Sequence, residues 1–241
     1  MSGAIRLFRL LSLISGLVLT LALAGPALAQ SCRVPERLPP ARAEPVSPGT
    51  VRQVPITDYL LAISWSPQYC RSRGGAADPL QCGSGTRFGF VLHGLWPEGP
   101  GRTWPQYCRP AGPVPAAVVR ASFCATPSVR LQQHEWQKHG SCMASSPERY
   151  FKASTGLFNA LRWPDMERLS RVRPDAAGLS AAIAEANPGL TPAGIRILLG
   201  RGGWLEEVRI CLDRDFRPAR CPRDTPGARP RERVRIWRLE R

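Results

Sequence analysis

Histidine is nearly absent from this 241-residue chain, which has only His93, His134 and His139. Lysine is scarcer still: Lys138 and Lys152 stand against 31 arginines. Histidines kept for packing would scatter, yet these three fall in two short segments, and one lysine lies between two of them. After the apolar run at Leu10–Leu23 no second stretch of spanning length follows, so no later membrane span is expected. No two cysteines have the two-residue spacing of a zinc knuckle, which leaves a structural zinc site without support. No Asn-x-Ser/Thr site occurs and no internal repeat is visible. Acidic residues are also few, 18 against 33 basic ones.

What is present begins with a basic start (Arg6, Arg9), the apolar run, and Ala27-Leu28-Ala29. That order predicts a secretory signal peptide over residues 1–29, cut after Ala29, and a secreted or periplasmic protein with no membrane attachment after cleavage. Eight cysteines, an even number, then read as disulfides formed in an oxidising compartment. The full chain carries +15, and removal of Arg6 and Arg9 leaves +13, which suits a polyanionic partner: nucleic acid, an anionic membrane surface or acidic glycans. Charge alone does not choose among them.

Residues 30–56 are rich in Pro and Arg without a period and read as an extended, loosely held arm; residues 57–241 are long enough for one domain. Tyr59–Ser66 reads as a buried strand ended by Pro67, residues 70–86 as a loop pinched by Cys70 and Cys82, and Arg87–His93 as a strand that delivers His93 at its end. Residues 97–128 are proline-punctuated loop with a short helix near Ala116–Ala121. Ser128 caps a helix, Val129–His139, closed by Gly140 at C′. Helices follow at Glu148–Arg162, Ala176–Ala186 and Pro192–Leu199, then strands at Trp204–Leu212 and Arg233–Leu239, with Cys211 and Cys221 closing the loop between them. Strands early and late with helices between predict an α+β fold on a central antiparallel sheet.

On a helix, Glu135 and His139 are four apart, as are His134 and Lys138, so imidazole, carboxylate and ammonium share one small volume. His93 could meet them from the opposite side, giving the acid and base that a proton-transfer reaction needs together. The zinc-protease helix carries its histidines four apart; here the spacing is five, and Lys138 would set a positive charge beside a metal. A purely structural role for three histidines interleaved with Glu and Lys is the blander alternative.

His93-Gly94-Leu95-Trp96-Pro97 and His134-Glu135-Trp136-Gln137-Lys138-His139-Gly140-Ser141-Cys142 resemble the two active-site segments of the ribonuclease T2 family. The resemblance extends over most of residues 58–221. It implies a metal-independent, cofactor-free endoribonuclease of single-stranded RNA that works through a 2′,3′-cyclic phosphate to 3′-phosphate ends. By the same resemblance His139 is the base, His93 the acid, and Glu135 and Lys138 stabilise the phosphoryl charge while His134 holds the phosphate. Trp96 becomes a wall of the base site, with Glu98 as a residue that reads the base; Trp65, Tyr69 and Trp136 are expected to pack. The resemblance also pairs Cys108 with Cys142. With the local pairs Cys70–Cys82 and Cys211–Cys221, that leaves Cys32 with Cys124. A monomer is expected. The rival of a different class is a basic RNA- or surface-binding protein that retains the fold without the activity.

Overall fold

The structure is a computed structural model that describes residues 32–239, apart from 74–77, 84–86 and 102. The expected signal peptide lies outside the described residues. Among those described, no helix is long and apolar enough to cross a membrane.

Four strands form one antiparallel sheet in the order β2-β1-β4-β3: β1 Asp58–Trp65, β2 Phe90–Glu98, β3 Ile195–Gly200 and β4 Trp204–Leu212. Leu61, Ile63 and Trp65 of β1 are buried with Leu92, Leu95, Val208 and Ile210 in the main core. Helices cover that face: α3 Ala116–Ser122, α4 Val129–Glu135, α6 Pro147–Ala160, α7 Met166–Val172 and α8 Ala176–Ala186, with the short turns α1 Ser66–Arg73, α2 Pro79–Cys82 and α5 Ser141–Met143 at its margins. The other face of β1, β2 and β4 is left for the site. The α+β expectation with an antiparallel sheet holds.

Two irregularities place the side chains of the two histidine-bearing segments. Ala62 pairs with Gly94 but Ile63 pairs with Leu92, so His93 is an extra residue in β2, a β-bulge. In a regular strand His93 and Trp96, three apart, would face opposite sides. The bulge brings them onto one side, with ring centroids 5.1 Å apart, while Leu92 and Leu95 both reach the core. The second is a π-helical turn, Trp136–Gly140, between α4 and α5. The Lys138 carbonyl there accepts the Tyr107 N–H at 2.9 Å, and the Gln137 carbonyl accepts the Ser141 hydroxyl at 2.7 Å.

Several local expectations change. The strand ends before Pro67 as expected, but the stretch 70–86 read as loop holds the end of α1, which has Pro67 in its first turn, and all of α2. His93 sits mid-strand, β2 continuing to Glu98. Gly140 does not close the helix, which runs on to Met143. Its need for glycine is a close approach: a Cβ would stand 2.5 Å from Trp136 Cε3 and 2.9 Å from Tyr150 Cγ. Pro192–Leu199 is not a helix; a short 3₁₀ turn at Pro192–Gly194 leads into β3. Arg233–Leu239 forms only isolated bridges, Arg233 to Asp175 and Arg235 to Trp204, and the Trp237 ring stacks on Trp204 at 3.9 Å. Helix α7 has an Asp165 cap that the sequence reading passed over.

All four disulfides occur as paired above: Cys32–Cys124, Cys70–Cys82, Cys108–Cys142 and Cys211–Cys221. The arm is extended, with one 3₁₀ turn at Pro48–Thr50, but it is not loose. Besides Cys32–Cys124, Arg52 and Gln106 exchange two backbone hydrogen bonds of 2.9 Å, and Arg120 donates to the carbonyls of Pro35 and Glu36.

Candidate active site

The first side of the site is β2. Tyr150, 1 % exposed, accepts the Leu95 N–H and donates to the Leu95 carbonyl, which clamps the strand next to His93. His93 Nδ1 lies 2.7 Å from Glu207 Oε2 on β4, and Glu207 Oε1 accepts from Arg209 Nε at 2.6 Å. The other imidazole nitrogen, Nε2, stands 3.7 Å from Glu135 Oε1. With Nδ1 occupied, Nε2 is the nitrogen that can exchange a proton with a substrate.

The second side is the helix. Glu135 is 2 % exposed and accepts the Trp96 indole N–H at 2.8 Å. His139, on the π turn, is 5 % exposed, and its ring stacks on the Trp96 ring with centroids 5.4 Å apart. Trp96 therefore contacts both imidazoles, and Arg209 lies over its ring at 4.9 Å. Cys108–Cys142 and the Cys108 N–H to Ser141 hydroxyl bond of 3.1 Å tie the Cys108 loop to this helix.

The environments push the two imidazoles apart. At His93 burial works against the charged form, but the Glu207 hydrogen bond and the charges of Glu135 and Glu207 outweigh it, and the pKa is raised. At His139 burial, aided by the charges of Lys138, His134 and His93, holds the pKa well below the ordinary histidine value. His139 Nδ1 is buried with no hydrogen-bond partner among the described residues, so nothing there compensates an imidazolium. Opposite tuning of neighbouring groups is what separates an acid from a base. Burial raises the pKa of Glu135, opposed by His93, the Trp96 hydrogen bond, His134 and Lys138. Burial also raises Glu207, but its His93 and Arg209 partners win and hold it below the usual carboxylate range.

A groove of about 490 Å³ opens on the Trp96 side; Trp96, Glu98, Trp104, Lys138, His139 and Arg209 are on its walls. Burial, with Asp58 adding to it and Arg209 opposing, raises Glu98 to about 7. A second depression, about 660 Å³, holds His93, Tyr69, Glu207 and Arg209. Trp65 and Trp136 are core residues as expected, whereas Tyr69 faces this depression.

The structure thus gathers His93, Glu135, His139, Trp96, Glu98 and Lys138 around one site. His134 does not line the groove, though its charge acts on Glu135 and His139, and its Nδ1 is 2.9 Å from Glu44 Oε2 of the arm. Among the described residues no group of three or more His, Cys, Asp or Glu side chains converges as a metal site would require. Glu207, Arg209, Trp104 and Glu44 were missed from sequence. None lies in either motif, and only strand pairing or arm docking brings them in; the alternating pattern of Trp204–Leu212 was the one usable signal for Glu207 and Arg209.

Residues 57–221 match the sequence model of the ribonuclease T2 family. A probable ribonuclease of Haemophilus influenzae is 33 % identical over 185 residues, which is 72 % of this chain and 64 % of that protein. A ribonuclease of Aeromonas hydrophila is 33 % identical over 164 residues, 65 % of this chain and 72 % of that one. Among solved structures trichomaglin, described as an S-like ribonuclease, superposes with a TM-score of 0.60 at 22 % identity, covering 75 % of this chain and 97 % of its own.

Proposed function

Since the chain belongs to the ribonuclease T2 family of enzymes, we propose that it is an endoribonuclease that cleaves single-stranded RNA without a metal, using His139 as general base and His93 as general acid. The observation that carries this reading is the opposite tuning of two imidazoles that both contact one indole. His139, kept neutral, takes the 2′-hydroxyl proton as that oxygen attacks the adjacent phosphorus. His93, kept charged, gives its Nε2 proton to the departing 5′-oxygen, and the P–O5′ bond breaks. The products are a 2′,3′-cyclic phosphate and a 5′-hydroxyl. In the second step the roles reverse: His93 deprotonates water, His139 reprotonates the 2′-oxygen, and a 3′-phosphate remains.

Lys138 supports the charge that builds on the phosphoryl oxygens. The buried Glu135, raised toward its neutral form, supplies a hydrogen-bonding edge within reach of His93 Nε2. Glu207 compensates the His93 imidazolium at Nδ1. The groove bounded by Trp96 and Trp104 offers aromatic faces for an unpaired base, with Glu98 at its edge. Four disulfides and the N-terminal pattern support action outside the cytoplasm, and a monomer suffices for the site.

The test is incubation of the oxidised protein with single-stranded RNA in EDTA, followed by identification of the product ends. Cyclic phosphate termini are expected, together with a loss on the order of 10²–10⁴-fold for His139→Ala. Binding without cleavage, or cleavage that returns only with zinc, would refute the assignment.

A further inference from the structure

Glu44 lies in the arm, outside the matched residues 57–221, yet it reaches a histidine of the second motif. Its attachment is specific at three points. The Glu44 N–H donates to Gln137 Oε1 at 2.7 Å, Gln137 Nε2 donates to the Glu44 carbonyl at 3.0 Å, and the carboxylate stands 2.9 Å from His134 Nδ1. Gln137 is itself buried and fixed, since its Oε1 also accepts from Gln133 Nε2 at 2.8 Å, while Gln133 Oε1 accepts the Val114 N–H at 2.8 Å. A chain of buried amides thus sets the Glu44 backbone, and the side chain is aimed from that fixed point. The arm is anchored on both sides of Glu44, by Cys32–Cys124 before it and by the Arg52–Gln106 pair after it.

We propose that Glu44 is a positioning residue through which the arm completes the phosphate subsite: it holds the His134 ring by Nδ1 and leaves Nε2 as the nitrogen that meets a phosphate oxygen of the RNA. An imidazole with one nitrogen engaged by a carboxylate loses its freedom to flip, which is how outer carboxylates orient histidines at metal and catalytic centres. The Tyr107 ring meets the His134 ring edge-on at 6.5 Å. The inference rests on the reading of His134 as a phosphate-binding residue. Its consequence is that the region shared with the family does not contain the whole site in this chain.

The test is a double-mutant cycle on a dinucleoside phosphate substrate, with kcat and KM measured separately for Glu44→Ala, His134→Ala and the double variant. Glu44→Ala spares the backbone bonds to Gln137, and unchanged thermal midpoints verify that the arm stays docked. Losing one hydrogen bond of this kind should raise KM about 3- to 10-fold with kcat little changed. In the His134→Ala background the same substitution should add no further loss. Glu44→Gln, which can still accept from Nδ1, should restore part of the affinity. An equal loss in both backgrounds would overturn the proposal, and so would a gain in activity from Glu44→Ala, which would make the arm a latch. A normal KM for His134→Ala alone would instead remove the phosphate-binding reading itself.

Discussion

Replacement of Glu207 by Gln isolates the device that keeps His93 charged. The carboxylate meets His93 Nδ1 at 2.7 Å and is only 10 % exposed, whereas His93 is 34 % exposed. A hydrogen bond to a charged group contributes about 1.5–3 kcal/mol, and the partial exposure of His93 argues for the lower part of that range. Glu207 raises the His93 pKa, so His93 carries its proton at low pH and loses it as pH rises through the elevated folded value. His139 behaves oppositely: it is protonated, and inactive as a base, only below its depressed value. On the proposed mechanism the kcat/KM profile should be a bell whose alkaline limb belongs to His93 and whose acid limb belongs to His139. Glu207→Gln should pull the alkaline limb toward neutral pH and lower kcat/KM there by about 10-fold or somewhat more. The acid limb should stay where it is. The assay is kcat/KM on a dinucleoside phosphate across about pH 4 to 9, with the thermal midpoint followed because Arg209 loses its partner. If the alkaline limb does not move, or if only the acid limb does, the assignment of His93 as acid fails.

Three further outcomes follow from the same geometry. A Cβ at Gly94 would overlap the Glu135 carboxylate and stand 2.7 Å from Trp96 Nε1, so Gly94→Ala should fold with a cost of about 1–3 kcal/mol and lose on the order of 10²-fold in kcat, read by denaturant melts and turnover. Glu98, raised to about 7, changes charge within the working pH range; the relative rates on dinucleoside phosphates that differ in the base should drift with pH in the parent and be flat in Glu98→Gln. Removing Cys108–Cys142, which closes a span of 34 residues, with a Cys108→Ala/Cys142→Ala pair should lower stability by about 4 kcal/mol in the chain-entropy account and reduce kcat as well, since the helix bearing His139 loses a tether; calorimetry and turnover check both.

Much of the site was readable because its chemistry is packed into two contiguous segments. His93, Trp96, Glu98, Glu135, Lys138 and His139 fall together in space because one strand and one helical stretch present them. The strands β1 and β4 and helices α4, α6 and α8 follow ordinary hydrophobic periodicity and were legible within a few residues. Failures came where tertiary context decides. Ile195–Gly200 is a short apolar run after a proline, compatible with helix or strand until β4 pairs with it. Arg233–Leu239 alternates well, but beside β4 it finds room for only one bridge, Arg235 to Trp204. Glu207 carries no motif, and its role appears only when β4 is laid against β1, near the bulge. Glu44 sits in a proline-rich stretch whose composition suggests looseness, and side-chain amides rather than periodicity fix it.

The extra residue at His93 also has an arithmetic consequence. A strand counts its faces in twos, and the bulge resets that count once, between Leu92 and Gly94. Deleting Gly94 would restore even parity and leave every side chain of the strand in place, yet it would send either the imidazole or the indole through the sheet to the helix-covered side. The candidate site is in this sense written in the spacing of β2 as much as in its letters. A substitution there disturbs one position, while a change of length by one residue would move a whole face.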